Sequence, residues 1–463
     1  MYSDGRDPEL TIVVNHAPPS VEFSPISTLP PELLSSIFIL ARPQSRFPPV
    51  LPFEVVISHV SRYWREVALS TPQLWNKIYI YSSASTKWIR PYLRRSGCHI
   101  PLDVYIDVYR ADRPRLPGEN SSRRSNQLKA ATIPLLLHFD RIRRVSILCH
   151  HESTALALLS GFVNPMPRLE SFKVRYDYIS PTADQRSHFS LFGGSSPQLA
   201  FLETDMPNIL PASMMLDKLT TLYLHNLSQG VGFDFRSFAR ILTSPPNLRN
   251  LSLNGSINSH TWPVHHASPK FTMKNLQALR LLDDGPTAMR MLLSVSAPKL
   301  ESLWLDCSFD SFQAVFDSPQ FNGKPKFPNL HYLTIQTDNL FLSERFSKLF
   351  PTITHLHLPY PDFYRHVLHL ENALVGRWRG VHTLVLTMYR ERNEQRLVAT
   401  LLGLLPMRRN SGRPLKSLLV DQDHLKVLRA PPRLSSQVDL QLVSPENYQE
   451  VWWNLNEHSQ AED

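Results

Sequence analysis

A recurrent pattern of apolar positions runs through most of the chain. A phrase of the form Pro-x-Leu-x-x-Leu-x-Leu returns many times, as in PNLRNLSL from residue 246 and PKLESLWL from residue 298. When looser copies such as DKLTTLYL from residue 217 are included, the first apolar positions of eleven phrases lie at residues 142, 169, 199, 219, 248, 276, 300, 330, 353, 381 and 415. The gaps run from 20 to 34 residues, so the phrase marks an internal repeat of irregular length.

Each copy of the phrase predicts a short strand, a loop and a helix. The segments FRSFARIL, TAMRMLLSV, SERFSKLF and EQRLVATLLGLL place apolar residues three and four apart, as a helix does. The leading proline ends the preceding helix and starts the turn into the strand, where no amide donor is needed. Such units stack into a solenoid with one continuous core, because none can bury its apolar face alone. The period is that of leucine-rich repeats, and we predict an irregular horseshoe of short parallel strands and helices.

The repeat also predicts which side chains face outward. In Leu-x-x-Leu-x-Leu the fourth and sixth residues point into the core, and the third, fifth and seventh face the inner, concave surface. Aromatic and basic side chains there are typical anchors of protein contacts. We therefore expect a target protein to bind Lys173, Arg175, Tyr223, His225, Arg280, Trp304, Tyr332, His355 and His357. The basic side chains Lys173, Arg175 and Arg280 would also suit a phosphate group.

The first 80 residues follow a different, helical pattern. STLPPELLSSIFILA, residues 27–41, has capping residues at Ser27 or Thr28, prolines suited to a first turn, and an apolar face. After a proline-rich break, a second helix is predicted through Val56, Trp64 and Ala68, ended by Pro72, with Trp75 folding back. So small a unit has a small core. Its apolar surface is expected either to meet a partner or to cap the solenoid, and the pattern alone favours neither.

Three groups of positions in this helical unit form a recognisable motif: Leu29-Pro30-x-Glu32-Leu33-Leu34-x-x-Ile37-Phe38, Val60-Ser61-Arg62-x-Trp64-x-x-Val67-Ala68 and Leu74-Trp75. This motif resembles an F-box, and the stretch SRYWREVALSTPQLW resembles the expanded F-box families of fungi. The resemblance implies a substrate receptor of an SCF-type cullin–RING ubiquitin ligase. It implies that a Skp-type adaptor, and through it the cullin and RING subunits, would be bound by Leu29, Pro30, Leu33, Ile37, Val60 and Trp64, some of which would serve the unit's own core. Catalysis would then be proximity supplied by the complex.

The fold class is thus predicted as α/β, with an all-helical N-terminal unit and a leucine-rich-repeat solenoid. The expected limits are a mobile tail at 1–24, the F-box-like unit at 25–80, the solenoid at 81–443 and a C-terminal cap and tail at 444–463. A disordered loop is expected at 111–127. Trp452 and Trp453 would cover the open end of the core.

Composition narrows the remaining function classes. The three cysteines are far apart, and buried free thiols are expected rather than a zinc site or disulfides. Neither a signal peptide nor an 18-residue apolar run is found, so we expect an intracellular protein without a membrane partner. The net charge is +9, but the basic clusters RIRR at 141–144 and MRRNSGRPLK at 407–416 are expected on solvated faces or loops, without nucleic acid.

The sequence lacks the motifs of common active sites. A P-loop, GxSxG, HExxH and GxGxxG are all missing, and no third ligand accompanies His355 and His357. We therefore expect a non-catalytic protein without cofactors. The alternatives are a leucine-rich-repeat scaffold whose N-terminal helices cap the solenoid, and an enzyme with an unrecognised site inside a leucine-rich shell.

Overall fold

The computed structural model divides the chain into two compact units, Met1–Trp75 and Asn76–Asp463. It describes residues 25–43, 51–81, 86–109, 128–130, 132–178, 191–207, 210, 214, 216–227, 235–255, 271–283, 287–307, 325–336, 344–359, 378–387, 394–429 and 432–443. The predicted tail at 1–24, the predicted loop at 111–127 and the cap at 444–463 with Trp452 and Trp453 lie outside the described residues.

The first unit is helical. Its helices are α1 (Pro31–Leu40), α2 (Phe53–Ile57) and α3 (Arg62–Leu69), with 3-10 turns at Pro25–Thr28 and Pro72–Trp75. The second predicted helix is therefore two helices. Ser61 separates them because its side chain accepts the backbone N–H of Trp64 at 3.1 Å and starts α3 afresh.

The start of α1 differs from the predicted cap. Pro30 stands at the N-cap without a side-chain hydrogen bond to the helix, and Pro31 opens the first turn. The hydroxyl of Thr28 instead donates to the carbonyl oxygen of Pro25 at 2.7 Å. A helix that begins with proline tolerates this arrangement, because proline has no N–H that needs an acceptor.

The second unit is built on a parallel sheet of 14 strands. They are β1 (Lys77–Ile80), β2 (Leu102–Asp107), β3 (Ile142–His151), β4 (Ser171–Tyr178), β5 (Phe201–Thr204), β6 (Thr221–Leu224), β7 (Asn250–Asn254), β9 (Ala278–Asp283), β11 (Ser302–Cys307), β12 (Tyr332–Gln336), β13 (His355–Pro359), β14 (Thr383–Thr387), β15 (Ser417–Val420) and β16 (Asp439–Leu442). They pair in chain order. The strands β8 (Phe271–Thr272) and β10 (Val295–Ser296) form a separate parallel pair.

All eleven repeat phrases coincide with strands of this sheet, which confirms the predicted α/β solenoid. Three further strands, β1, β2 and β16, lie at the ends of the sheet and lack the full phrase. The intervening helices are α4 (Thr86–Arg95), α5 (Glu152–Leu159), α6 (Phe235–Thr243), α7 (Thr287–Ser294), α8 (Glu344–Leu349), α9 (Glu394–Asn410), α10 (Gln422–Arg429) and α11 (Pro432–Ser435), with 3-10 segments at Ile133–Arg141 and Leu191–Gly194.

Rows of leucine across the strands form the core of the second unit. One row follows the backbone register from Leu222 through Leu251, Leu279, Leu303, Leu333 and Leu356, and every member is fully buried. Burial of each leucine side chain contributes roughly 1.5–3 kcal/mol. Because each strand supplies one leucine to the row, the core is continuous although the repeats differ in length.

Asparagine side chains form hydrogen bonds between neighbouring repeats, close to the start of the strands. They occupy the position directly before the first leucine of the phrase. Each donates to a backbone carbonyl of the preceding repeat: Asn247 to Asp217 at 2.8 Å, Asn275 to Pro246 at 3.3 Å, and Asn329 to Pro298 at 2.8 Å. These bonds fix the spacing of adjacent turns of the solenoid.

Two expectations about side-chain burial are wrong. Arg141 and Arg408 come from basic clusters predicted to be solvated, but both are buried. Their guanidinium groups are held by backbone carbonyls, those of Leu93 and Ile100 for Arg141 and those of Trp378 and Val381 for Arg408. Cys98 is an exposed thiol, whereas Cys149 is buried as expected.

Candidate functional site

Helix α1 presents two different apolar faces. Leu34 and Phe38 are 0% and 2% exposed, whereas Leu33 and Ile37 are 54% and 40% exposed. Each pair is separated by four residues and therefore lies on one side of the helix. The inner pair forms the core of the first unit, and Phe38 packs on the ring of Trp64 at 4.9 Å. The outer pair has no role in that core.

The first unit carries a large share of the exposed apolar surface. Nine of the sixteen large apolar side chains that are exposed among the described residues lie between Pro25 and Trp75. They are Ile26, Leu33, Ile37, Ile39, Leu40, Leu51, Val56, Val60 and Leu69. Because soluble proteins seldom leave such a concentration in water, the part of this surface around Leu33 and Ile37 is a candidate binding site for a partner.

The six residues expected to contact an adaptor separate into two groups. Pro30, Leu33, Ile37 and Val60 are exposed. Leu29 and Trp64 are partly buried, and the hydroxyl of Tyr63 donates to the carbonyl oxygen of Leu29 at 2.5 Å. The resemblance did not place Leu40 and Val56 among the adaptor-binding residues, although both are exposed and apolar.

A cluster of charged side chains lies on strands β4 to β6 of the second unit. Glu203 is buried and accepts from Lys173 at 3.1 Å and from Arg175 at 3.1 Å, and the ring of His225 lies 3.5 Å away. Arg175 also approaches Asp205 at 3.4 Å. Two of the cations predicted to meet a target or a phosphate, Lys173 and Arg175, are therefore paired within the protein.

The two carboxylates of this cluster have opposite pKa shifts. Burial alone would raise the pKa of Glu203, but the hydrogen bond to His225 and the charges of Lys173, His225 and Arg175 together lower it far below 4.5. Burial raises the pKa of Asp205, although a hydrogen bond from the backbone N–H of Tyr176 at 2.7 Å opposes the rise. Glu203 is thus the carboxylate whose charge holds the cluster together.

Aromatic and histidine side chains occupy the same face further along the sheet. The guanidinium of Arg280 lies 4.3 Å from the ring centre of Trp304, which meets His357 edge-on at 6.0 Å. His357 is fully buried between the hydroxyls of Thr334 and Thr387, at 3.4 Å and 3.1 Å. Burial lowers the pKa of His357 to about 3, so this imidazole is neutral at pH 7.

A second histidine group, centred on His355, lies beside the row formed by Arg280, Trp304 and His357. The ring of His355 is 4.6 Å from Tyr332 and 4.9 Å from His382. Burial and the charges of His382 and His331 lower the pKa of His355 to about 4. Among the residues that the structure describes, no group of three or more His, Cys, Asp or Glu side chains is arranged to hold a metal ion.

The nine residues expected to bind a target differ in accessibility. Lys173, Arg175, Tyr223, His225, Arg280, Tyr332 and His355 are partly exposed. Trp304 and His357 are buried, so the expectation that they offer contact surface is wrong for these two. In the backbone register each has a side chain of the neighbouring strand beside it, and both rings also pack against each other.

Comparison with known proteins bears on the first of these surfaces. Residues 26–81 match the F-box-like family. This F-box-like domain includes all three helices of the first unit and continues into β1 of the second. The match covers the predicted motif positions from Leu29 to Trp75, but it leaves most of the chain unassigned.

The remaining comparisons add little to this assignment. No curated protein matches the chain. A crystal structure of a Bacteroides fragilis protein from a structural genomics consortium aligns with 12% identity over 66% of this chain and 67% of that one. Its TM-score is 0.27, so the likeness carries no argument. In the described part of the chain, no helix combines the length and the apolar character needed to cross a membrane.

Proposed function

We propose that the chain is the substrate-recognition subunit of an SCF-type cullin–RING ubiquitin ligase. The observation that carries this proposal is the outward apolar face of α1, located within a segment that matches the F-box-like family. The sequence of residues 60–75 further supports a place among fungal-type F-box proteins with leucine-rich repeats. Such a receptor acts inside the cell, with the expected domain limits of 25–80 and 81–443.

In this proposal the first unit docks on a Skp-type adaptor. Leu33, Ile37 and Val60 would enter an apolar groove of the adaptor, and Pro30 would lie at its edge. Burial of apolar area contributes about 25 cal/mol for each Å², so a few such side chains supply much of the affinity. Leu29 and Trp64 would act by holding α1 against α3, since both are already partly buried.

The solenoid would hold the target protein. Tyr223, Arg280, Tyr332 and His355 are the partly exposed side chains best suited to contact it, because aromatic residues and arginine dominate the energy of protein interfaces. Cullin and RING subunits would join through the adaptor and bring a loaded conjugating enzyme near the target. The rate gain would then come from proximity rather than from chemistry on this chain.

Assembly of the complex in cells tests the proposal. The tagged chain should co-purify with the adaptor and the cullin, and the double variant Leu33→Asp, Ile37→Asp should lose both. Ile39→Asp is a matched control, because Ile39 is an exposed apolar residue on another side of the same helix. A deletion that starts the chain at residue 76 keeps β1 and should lose the adaptor as well.

Two outcomes would contradict the proposal. One is a folded wild-type chain that recovers neither adaptor nor cullin, which would favour the scaffold alternative. The other is equal recovery by the double variant and by the wild type. Unchanged hydrogen-exchange protection of residues 25–43 and 51–75 in the double variant would show that its loss of binding is not a loss of folding.

A further inference from the structure

The positive charge of the chain is concentrated in one short stretch. The whole chain has 49 basic and 40 acidic residues, a net charge of +9. Residues 86–144 contain 13 Lys or Arg and 5 Asp or Glu, which gives 13 − 5 = +8. The rest of the chain is therefore close to neutral, and a charge-driven contact would be made through this stretch.

Helix α4 displays part of this charge on its outer face. Lys87, Arg90 and Arg94 follow each other at steps of three and four residues and are exposed, whereas Ile89 and Leu93 are buried on the opposite face. A helix with this spacing holds its three cations in one row along its length. Within α4 there is no acidic residue.

Exposed apolar side chains lie beside these cations. Trp88 is 59% exposed on α4, and Leu137 is 85% exposed on the adjoining segment Ile133–Arg141, where Ile133 is also exposed. The buried Arg141 ties the two together, since its guanidinium donates to the carbonyl oxygen of Leu93 at 3.3 Å and to the hydroxyl of Ser96 at 3.1 Å. We call α4 together with Ile133–Arg141 the α4 surface.

The cations of the α4 surface differ from those on strand β4. Lys173 and Arg175 are neutralised by Glu203 and Asp205. In contrast, Lys87, Arg90 and Arg94 form no ion pair within the described residues. The carboxylate of the α4 surface is the exposed Asp140, at the far end of the segment Ile133–Arg141.

The local electrostatics agree with an excess of positive charge. Burial and then the neighbouring charge of Arg94 lower the pKa of Arg95. Burial and then the charge of Arg141 lower the pKa of His138, against a weaker opposite effect of Asp140. An anion placed against this surface would relieve the repulsion between these groups.

We propose that the α4 surface is a docking site for an acidic peptide segment of a partner protein, whose carboxylates meet Lys87, Arg90 and Arg94 and whose apolar side chain packs on Trp88. Nucleic acid fits less well, because the exposed aliphatic side chains Ile133 and Leu137 offer nothing to a phosphate backbone. A membrane surface fits less well, because the apolar face of α4 points into the protein. The site lies in the second unit and does not depend on adaptor docking.

The test uses the full chain and a defined probe, which is a fluorescein-labelled peptide that repeats the triplet Glu-Glu-Leu. Fluorescence anisotropy should show binding that weakens as salt is raised, since exposed charges are screened. The triple variant Lys87→Glu, Arg90→Glu, Arg94→Glu should bind about tenfold more weakly or worse. Trp88→Ala should weaken binding several-fold at unchanged salt dependence, because it removes packing but no charge.

The matched control makes the same change of net charge elsewhere. Arg236, Arg240 and Lys274 are exposed residues of the solenoid, and their triple replacement by Glu should change the affinity by less than about twofold. Equal weakening by the two triple variants would overturn the proposal, as would unchanged binding by the α4 variant. Wild-type protein that ignores the peptide but binds phosphatidylserine vesicles or duplex DNA through these cations would also overturn it.

Discussion

The indole Nε1 of Trp75 donates a hydrogen bond of 2.8 Å to the backbone carbonyl oxygen of Ala68. Both residues are buried, and the bond connects the 3-10 turn Pro72–Trp75 to helix α3. Trp75→Phe keeps an aromatic ring but removes the donor and leaves the carbonyl without this partner. We expect the first unit to lose about 1–2 kcal/mol of its free energy of unfolding.

Hydrogen exchange measured on peptides from 25–43 and 51–75 checks this prediction, because a global transition would mix two units. Protection should fall there and stay unchanged in the β-strands of the solenoid. Trp75→Ala should have a larger effect, about 3–5 kcal/mol. Equal protection in Trp75→Phe and wild type would show that the hydrogen bond adds nothing to stability.

Glu203 should make the stability of the solenoid depend on acid pH. Its pKa in the folded chain lies below the ordinary 4.5, so the unfolded chain binds a proton first as pH falls. The stabilisation is complete above about pH 5.5 and is lost progressively below about pH 4.5. Glu203→Gln should flatten this dependence and destabilise the solenoid at neutral pH, because Lys173 and Arg175 lose their shared anion.

Thermal unfolding of wild type and Glu203→Gln between pH 6 and pH 3 measures this effect. Asp205 acts in the opposite sense, since its raised pKa favours the folded state in acid. Glu203→Gln should lose less stability than wild type between pH 6 and pH 3, and the loss that remains should come from His355 and His357. Parallel curves for wild type and variant would contradict a charged Glu203 at the centre of the cluster.

His357 should contribute a second pH dependence at a higher pH. Its pKa is about 3 in the folded chain against an ordinary 6.5, so the unfolded chain takes up the proton first. Stability is therefore full above pH 6.5 and falls with acidification, by about 2 kcal/mol at pH 5. In His357→Gln, which keeps polar atoms for Thr334 and Thr387, the fall between pH 7 and pH 5 should be smaller.

Denaturant unfolding at pH 7 and pH 5 gives the comparison. His355 titrates in the same direction and remains in both proteins, so the variant keeps part of the dependence. His99→Gln is a control, because His99 is exposed. An equal pH dependence in wild type and His357→Gln would contradict a buried neutral imidazole.

The bond between repeats predicts a local effect. Asn329 donates from its side-chain amide to the carbonyl oxygen of Pro298 across the repeat boundary. Asn329→Ala should cost about 0.5–1.5 kcal/mol, and hydrogen exchange should rise first in β11 and β12. Asn247→Ala should move the rise to β6 and β7, since its acceptor is Asp217. An increase in hydrogen exchange spread evenly over the sheet would contradict a local role for these hydrogen bonds between repeats.

Much of the fold could be predicted because the spacing of apolar residues in the repeat determines which side chains face the core. A leucine at the fourth position, such as Leu251 or Leu303, can only face the core once strand alternation is accepted, and both are buried. The end strands β1 and β2 could not be predicted in this way. KIYI and LDVYID alternate like strands, but neither carries the leading Pro-x-Leu of the clearest copies of the repeat phrase.

The depth of burial was harder to predict than the direction of a side chain. Alternation places Trp304 and His357 on the inner face, but their burial depends on how two rings from separate strands pack together. Arg141 and Arg408 illustrate the same limit, because backbone carbonyls from distant parts of the chain solvate each guanidinium. On α1 the motif named the residues, and the helix geometry was needed to separate Leu33 from Leu34.

Binding of the purified chain to a purified Skp-type adaptor tests the central claim most directly. Titration calorimetry should give tight binding for wild type and for Ile39→Asp. It should show a loss of about a hundredfold or more for the folded double variant Leu33→Asp, Ile37→Asp. No binding by the folded wild-type chain, or equal affinity of wild type and double variant, would contradict the assignment of this helix face as the adaptor site.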